Sequence, residues 1–115
     1  MKHNKPKLVV VLGPTAVGKS ALGIDIAKRL GGEIINADSL QVYKHLNIGT
    51  AKPNQNDLKH VPHHLIDIAD PKEEFNAGIF RTQADSVIND LHVHGKSIIV
   101  VGGTYLYVKV LLSGL

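Results

Sequence analysis

The sequence has no cysteine and no tryptophan, and only five of its 115 residues are tyrosine or phenylalanine. Without cysteine the chain can form neither a disulfide framework nor a cysteine-ligated metal site. Its longest apolar runs are about five residues, far too short for a membrane span or for the core of a signal peptide. We therefore expect no membrane association and a reducing, cytoplasmic location.

No internal repeat, low-complexity segment or strong charge excess is present. The 13 basic residues against 10 acidic ones give a formal net charge of +3, which permits a nucleic-acid partner but does not argue for one. A chain of this length forms one domain, residues 1–115, and buries roughly two-thirds of its unfolded surface.

A glycine-rich stretch fits the phosphate-binding pattern G-x-x-x-x-G-K-[ST] at every fixed position. It consists of Gly13, Pro14, Thr15, Ala16, Val17, Gly18, Lys19 and Ser20. Glycines let successive N–H groups point into one concavity, and the helix that follows presents its positive end there. The lysine adds charge for terminal phosphates, and the serine hydroxyl can ligate Mg²⁺. The stretch predicts a polyphosphate site, without deciding among ATP, GTP and a diphosphate ester; a plain strand-to-helix turn is the alternative.

The apolar pattern predicts strands alternating with helices. We expect strands at 8–12, 33–37 and 97–101, a short edge strand at 63–68, and helices at 21–30, 55–60, 77–94 and 105–112, with a short helical turn at 40–46 and a loop at 47–54. Asn76 is expected to cap the long helix, whose apolar stripe is Phe80, Ala84, Val87, Ile88 and Leu91. The alternation predicts an α/β fold with a parallel sheet.

Three loops follow the central strands of this predicted sheet, at residues 13–20, 38–41 and 102–104. Ligands of parallel α/β sheets bind beyond the carboxyl ends of the strands. We therefore expect the three loops to converge on one crevice.

Polar residues in the second and third loops are candidates for structural or functional roles. Asp38 can accept a proton from a substrate OH or NH or bind Mg²⁺ through water, or it can cap a short helix. Gln41 can bind a base edge, although an exposed helix position is the default for glutamine. Thr104, after two glycines, is typical of a helix N-cap. The third strand ends in Gly102-Gly103 without the acidic residue that ATPases and GTPases place there, which weakens a hydrolase interpretation.

Histidine and tyrosine give weaker indications. His60, His63 and His64 lie near Asp67, but structural roles are favoured over a metal site. Tyr105 and Tyr107 are expected to pack in the core rather than to stack on a base.

Together these motifs resemble the tRNA dimethylallyltransferases, also called tRNA isopentenyltransferases. The matching stretches are Gly13–Ser20, Ile35–Tyr43, Asn47–Pro53, Pro62–Asp67 and Val101–Tyr107, and they run along the whole chain. The first is shared by many nucleotide-binding families, whereas the second to fourth together are much more specific. Adenylate isopentenyltransferases carry related stretches. Tyr105 departs from the small residue often found there, which bears only on local helix packing.

The resemblance implies a P-loop NTPase-like sheet flanked by helices and a prenyl transfer from dimethylallyl diphosphate to N6 of adenine 37 of tRNA. The loop at 13–20 would hold the diphosphate, with Lys19 offsetting its charge and Ser20 on Mg²⁺. The resemblance implies catalytic roles for Asp38, as general base, and for Thr104. It implies contacts with tRNA for Asp38, Ser39, Leu40, Gln41 and Thr104.

The family is considerably longer than 115 residues, so the resemblance implies that this chain is an incomplete, N-terminal part. The expected partners are tRNA and dimethylallyl diphosphate, and a monomer is expected. A P-loop small-molecule kinase, with Asp38 as base toward a hydroxyl, and an inactive truncated fragment are the alternatives.

Overall fold

A computed structural model describes residues 7–13, 17–45 and 52–113, with the side chains of residues 17 and 18 left out of the description. In chain order its elements are β1 (Leu8–Leu12), α1 (Val17–Leu30), β2 (Glu33–Asn36), α2 (Gln55–His60), β3 (His63–His64), α3 (Ala77–Val93), β4 (Ile98–Gly102) and α4 (Tyr105–Ser113). None of the helices in these ranges is long and apolar enough to cross a membrane.

The strands form one sheet in the order β1-β4-β2-β3, and every neighbouring pair is parallel. Val100 of β4 lies opposite Val10 on one side and Ile35 on the other. All five residues of β4 are buried, as expected for the unbroken apolar strand of a sheet covered on both faces. The predicted parallel α/β fold is confirmed.

The sheet has a helix layer on each face. On one face Ile24 and Ala27 of α1 form a buried cluster with residues of β2 and β4, namely Ile34, Ile99 and Val101. On the other face α3 and α4 pack over the alternate strand residues, including Ile35, Ile98 and Val100. The two clusters therefore cover both faces of the sheet whose strands lead into the loops.

Local signals set the helix ends. Gly31 adopts a φ of +64°, and the N–H of Gly32 donates to the carbonyl of Ala27 (2.8 Å), which closes α1. The side chain of Asn76 accepts a hydrogen bond from the N–H of Ile79 (2.9 Å), so the predicted cap of α3 is confirmed. The predicted α2 is also present, and Asn54 is its N-cap.

The first helix begins at Val17 rather than at residue 21, and two further predicted elements differ more strongly from the structure. The helical turn predicted at 40–46 is wrong for its described residues, 40–45: residues 39–42 form a turn, and Tyr43 makes a parallel bridge with Ala69. Leu46 lies outside the described residues. The predicted strand at 63–68 ends at His64, because Leu65 (φ +67°) and Asp67 (φ +55°) adopt left-handed backbone conformations that a strand excludes. Of the predicted loop at 47–54, residues 47–51 lie outside the described residues, and 52–54 are irregular.

Candidate functional site

The loops that leave β1, β2 and β4 are joined by backbone hydrogen bonds. The N–H of Gly13 donates to the carbonyl of Gly102 (3.3 Å), and the N–H of Ala37 donates to that of Val101 (2.8 Å). The N–H of Thr104 then donates to the carbonyl of Ala37 (3.1 Å). The described residues of the three loops therefore lie together, as predicted, and β4 lies between the other two strands. That they line one crevice stays a prediction.

Gly102 makes this convergence possible. A Cβ atom on Gly102 would lie 2.2 Å from the carbonyl oxygen of Ala37 and 2.3 Å from its carbonyl carbon. Both neighbours are backbone atoms, which cannot rotate away. Glycine is therefore required where β4 passes the residue immediately before Asp38.

Lys19 lies in the first turns of α1, above the sheet. Its Nζ donates a hydrogen bond to the carbonyl of Gly13 (3.0 Å). Burial lowers the pKa of Lys19 from its ordinary value, while the negative charge of Asp38 acts in the opposite direction. The carboxylate of Asp38 is therefore near enough to Lys19 to act on its pKa. That the two residues form one functional site stays a prediction. Residues 14–16 of the glycine-rich stretch lie outside the described residues, and of 17 and 18 only the helical backbone is described.

Asp38 is buried at the exit of β2, with 6% of its surface exposed. Its Oδ1 accepts hydrogen bonds from the N–H groups of Leu40 (2.8 Å) and Gln41 (3.2 Å). The capping interpretation of Asp38 is therefore right for its local bonding, although the residues it caps form a turn rather than a helix. Because these two bonds converge on one oxygen, the orientation of the carboxylate is fixed before any ligand arrives.

Thr104 ties the loop after β4 to the loop after β2. Its Oγ1 accepts a hydrogen bond from the N–H of Ser39 (2.8 Å) and donates one to the Ser39 hydroxyl (3.2 Å). The side chain of Thr104 therefore does not cap α4 as expected, because its hydroxyl bonds to Ser39, 65 residues away. The N–H groups of Tyr107 and Val108 in α4 donate instead to the backbone carbonyl of Thr104.

Gln41 and Leu40 occupy opposite environments at this rim. Gln41 is buried, at 8% exposure, so the default expectation of an exposed helix position is wrong. It lines a small cavity of about 20 Å³ together with Ser20, Asn36 and His63, among others. Leu40, by contrast, is 54% exposed, and it offers an apolar surface two residues after Asp38.

An aromatic pair, Tyr107 and Phe80, packs in the core near Asp38. Tyr107 is 4% exposed, and its ring stacks on Phe80 with centroids 4.4 Å apart and an interplanar angle of 18°. Burial raises the pKa of Tyr107, with smaller contributions from Tyr43 and Asp38. The expected core role of Tyr107 is confirmed; that of Tyr105, which is 65% exposed, is wrong.

The histidines have partners within the fold. His63 Nδ1 lies 2.8 Å from the carbonyl of Val61, and since a carbonyl only accepts, Nδ1 carries the proton. Burial lowers the pKa of His63. His64 Nε2 lies 2.7 Å from Glu33. Within the three described ranges, no group of three or more histidine, aspartate or glutamate residues is placed to hold a metal ion.

Sequence reasoning missed the buried polar contacts of Asn36 and Lys52. Asn36, 3% exposed, donates hydrogen bonds to the carbonyls of Asp38 and Leu65. Lys52, whose side chain is 8% exposed, binds Asp67 and the carbonyl of Tyr43. A polar residue that ends an apolar strand, as Asn36 does, is a signal that could have indicated buried bonding.

The fold and the site define a P-loop protein: a parallel sheet whose first strand leads through a glycine-rich stretch into a helix that carries Lys19 and Ser20. The family model described as IPP transferase matches residues 41–115, and the chain belongs to that family. The match leaves out the glycine-rich stretch, which the comparisons below cover.

Comparison with known proteins extends the likeness over nearly the whole chain. The chain is 60% identical over 111 residues to tRNA dimethylallyltransferase 2 of Syntrophus aciditrophicus, which covers 96% of this chain and 36% of that protein. The full-length tRNA isopentenylpyrophosphate transferase of Bacillus halodurans superposes with a TM-score of 0.90 at 47% identity, covering 96% of this chain and 37% of that one. A eukaryotic dimethylallyltransferase acting on tRNA superposes with a TM-score of 0.84 at 42% identity, covering 90% and 26%. The chain thus spans about a third of the length of these relatives.

Proposed function

We propose that this chain is the diphosphate-binding and base-activating part of a tRNA dimethylallyltransferase. The reaction transfers a dimethylallyl group from dimethylallyl diphosphate to N6 of the adenine at tRNA position 37 and gives N6-dimethylallyladenosine. Its main support is that backbone hydrogen bonds join the loops after β1, β2 and β4, so that Lys19, bonded to the carbonyl of Gly13, and Asp38 are near each other. An anion site and a proton acceptor would then share one crevice. The names of the relatives favour this function over phosphoryl transfer.

The anion site fits a departing diphosphate. The glycine-rich stretch from Gly13 to Ser20 leads into the positive end of α1, and the Lys19 ammonium adds a full charge. Diphosphate becomes a good leaving group when its charge is offset, and the allylic carbon can delocalise the positive charge that develops. The loop therefore stabilises the leaving group, and no phosphoryl group moves.

Asp38 is the proposed general base. In the reaction the bond from N6 to the allylic carbon forms, the bond from that carbon to the diphosphate oxygen breaks, and the N6 proton passes to the carboxylate. The exocyclic amine of adenine is a weak nucleophile and benefits from a fixed base. Two backbone N–H groups bind Oδ1 of Asp38 and fix the orientation of the carboxylate that would take the proton.

The residues after Asp38 are proposed to receive the base. An adenine must leave its stack to reach this depth, and apolar surface and amide groups are what a flipped base requires. Leu40 supplies exposed apolar surface, and Ser39 and Gln41 supply polar groups. Thr104 is proposed to contact the tRNA while its hydroxyl holds Ser39 in place.

Mg²⁺ is the proposed cofactor, with Ser20 as its protein ligand. Magnesium prefers oxygen donors and keeps waters and phosphate oxygens in its shell, so one hydroxyl in the first turns of α1 fits a metal that arrives with the diphosphate. When bound, the ion would offset charge on the leaving diphosphate. We further propose a cytoplasmic, monomeric protein.

The test uses a full-length protein that carries this chain. It is incubated with Mg²⁺, dimethylallyl diphosphate and tRNA lacking the modification, and the nucleosides are then weighed. A gain of one dimethylallyl group on adenosine is the expected result. ATP is added in a parallel reaction with candidate small-molecule alcohols, and phosphate transfer without prenylation would replace this proposal with the kinase alternative.

Asp38→Asn separates the chemical role of Asp38 from its structural role. Asparagine keeps the Oδ1 acceptor for the N–H groups of Leu40 and Gln41 but cannot take a proton. We expect turnover to fall by about 10²- to 10⁴-fold, the range typical of a lost general base, with tRNA affinity and thermal stability near those of the parent. Equal losses in turnover and affinity would identify Asp38 as a binding residue only.

A further inference from the structure

We propose that Asn36 is a positioning residue for the base-activating loop. Its side-chain amide binds the backbone of that loop to a left-handed residue of a second segment, and so sets where the Asp38 carboxylate is held. The effect on turnover rests on the proposed function, whereas the positioning itself does not.

The contacts of Asn36 reach both segments. Nδ2 donates to the carbonyl of Asp38 (3.2 Å), two residues along the chain, and to the carbonyl of Leu65 (2.9 Å), 29 residues along it. Asn36 is 3% exposed, so water has little access to its amide. If the amide were removed, the two carbonyls would lose this hydrogen-bond donor, and water would have little access to them either. One side chain therefore satisfies two backbone carbonyls that no strand pairing reaches.

The second segment needs such an anchor. Leu65 has a φ of +67°, which is unfavourable for a bulky residue and persists only where the surroundings hold it. Its side chain is buried, at 6% exposure, within the cluster formed by α3, α4 and the sheet. The hydrogen bond from Asn36 and this burial together offset the strain at Leu65.

The segment after Leu65 closes the arrangement. The N–H of Asp67 donates to the carbonyl of Gln41 (3.0 Å), and the N–H of Ile68 donates to the carbonyl of Val42 (2.8 Å). The loop that carries Asp38 is thus fixed at its start by Asn36 and at its end by residues 67 and 68. If Leu65 relaxed to ordinary backbone angles, both attachments would shift together.

The experiment measures amide hydrogen exchange by NMR in this chain, wild type and Asn36→Ala. The reporters are the N–H groups of Leu40 and Gln41, which bond to Asp38 Oδ1, and the comparison amides are those of Ile99 and Val100 in β4. We expect exchange at Leu40 and Gln41 to accelerate about 10- to 100-fold more than exchange at β4.

Leu91→Ala is the matched control. Leu91 is a buried residue of α3, so truncation destabilises the whole fold without removing a hydrogen bond of the loop. It should accelerate the β4 amides at least as much as the reporters. Asn36→Ser keeps one short donor and should give an intermediate effect, and it replaces the alanine variant if that variant fails to fold. Exchange at the reporters that rises no more than at β4 in the Asn36 variants would overturn the proposal.

A second readout in the full-length protein tests the link to catalysis. Asn36→Ser should lower kcat about tenfold while KM for tRNA stays within twofold, because the carboxylate is misplaced rather than lost. If the exchange result holds and kcat does not change, Asn36 still positions the loop, and the proposed role of Asp38 as base is what fails.

Discussion

Replacing Gly102 by alanine should damage the fold and the site together. The added Cβ would lie 2.2 Å from the Ala37 carbonyl oxygen and 2.7 Å from its Cα, so β2 and β4 must separate at their carboxyl ends. Overpacking of this kind costs about 1–3 kcal/mol, and backbone neighbours that cannot rotate place it at the upper end. Two backbone hydrogen bonds meet at Ala37, and weakening either adds about 0.5–1.5 kcal/mol.

We therefore expect Gly102→Ala to lower the free energy of unfolding by about 2–4 kcal/mol, a large share of the roughly 5–15 kcal/mol typical of a domain. Urea unfolding followed by circular dichroism measures this change. Gly78→Ala is the control, because the same added Cβ meets only the Asn76 side chain at 3.4 Å, on an exposed turn of α3. Alanine there should be neutral or slightly stabilising, since it favours helix.

The site gives a second measurement on the same variant. Because Ala37 precedes Asp38 directly, NMR shifts of the Ser39 and Gln41 amides should change more in Gly102→Ala than those of α3. A Gly102→Ala protein as stable as the parent within about 0.5 kcal/mol, with unchanged loop shifts, would refute the close-approach argument.

Three further perturbations have signs fixed by the structure. Burial lowers the pKa of Lys19, so affinity for Mg²⁺-diphosphate should begin to decline with rising pH before the pH reaches the ordinary lysine pKa of 10.5. Calorimetry measures this affinity, and Lys19→Met should bind weakly and show no such decline. Wild-type affinity in Lys19→Met would contradict a phosphate-binding role for Lys19. Burial also lowers the pKa of His63, so the unfolded chain binds more protons than the folded one below pH 6.5. The free energy of unfolding should therefore fall as the pH drops from 6.5, by at most about 1.4 kcal/mol per pH unit. In His63→Asn the urea midpoint should fall less over the same pH range, and a pH dependence equal to that of the wild type would show that another group titrates. Thr104→Val removes the hydroxyl that bonds Ser39, so it should lower the free energy of unfolding by about 0.5–1.5 kcal/mol and speed hydrogen exchange of the Ser39 amide. Thr104→Ser keeps the hydroxyl and should stay near wild type. Equal behaviour of the two variants would contradict a role for the hydroxyl.

The elements with strong periodicity could be predicted from the sequence. β1 begins and ends as predicted, and Asn76 and Gly95 bound α3 because a cap and a glycine act within a few residues of themselves. The convergence of the loops also followed, since it depends only on all strands being parallel.

The parts that failed depend on contacts distant in sequence. Nothing within residues 40–46 shows that residues 67–69 will pair with them and turn a short helix into a bridged loop. The left-handed conformation at Leu65 has no local signal either, because leucine does not favour it and only the surrounding fold sustains it. The bond from Thr104 to Ser39 spans 65 residues and is invisible to capping rules.

The ring of Tyr107 has a practical consequence. The sequence contains no tryptophan and only three tyrosines, and Tyr107 is the one that stacks on Phe80 in the core. An immobilised ring in an asymmetric setting gives a near-ultraviolet dichroism band, whereas a freely rotating phenol contributes little. The near-ultraviolet dichroism of this chain therefore reports, without an added label, whether Tyr107 is packed against Phe80.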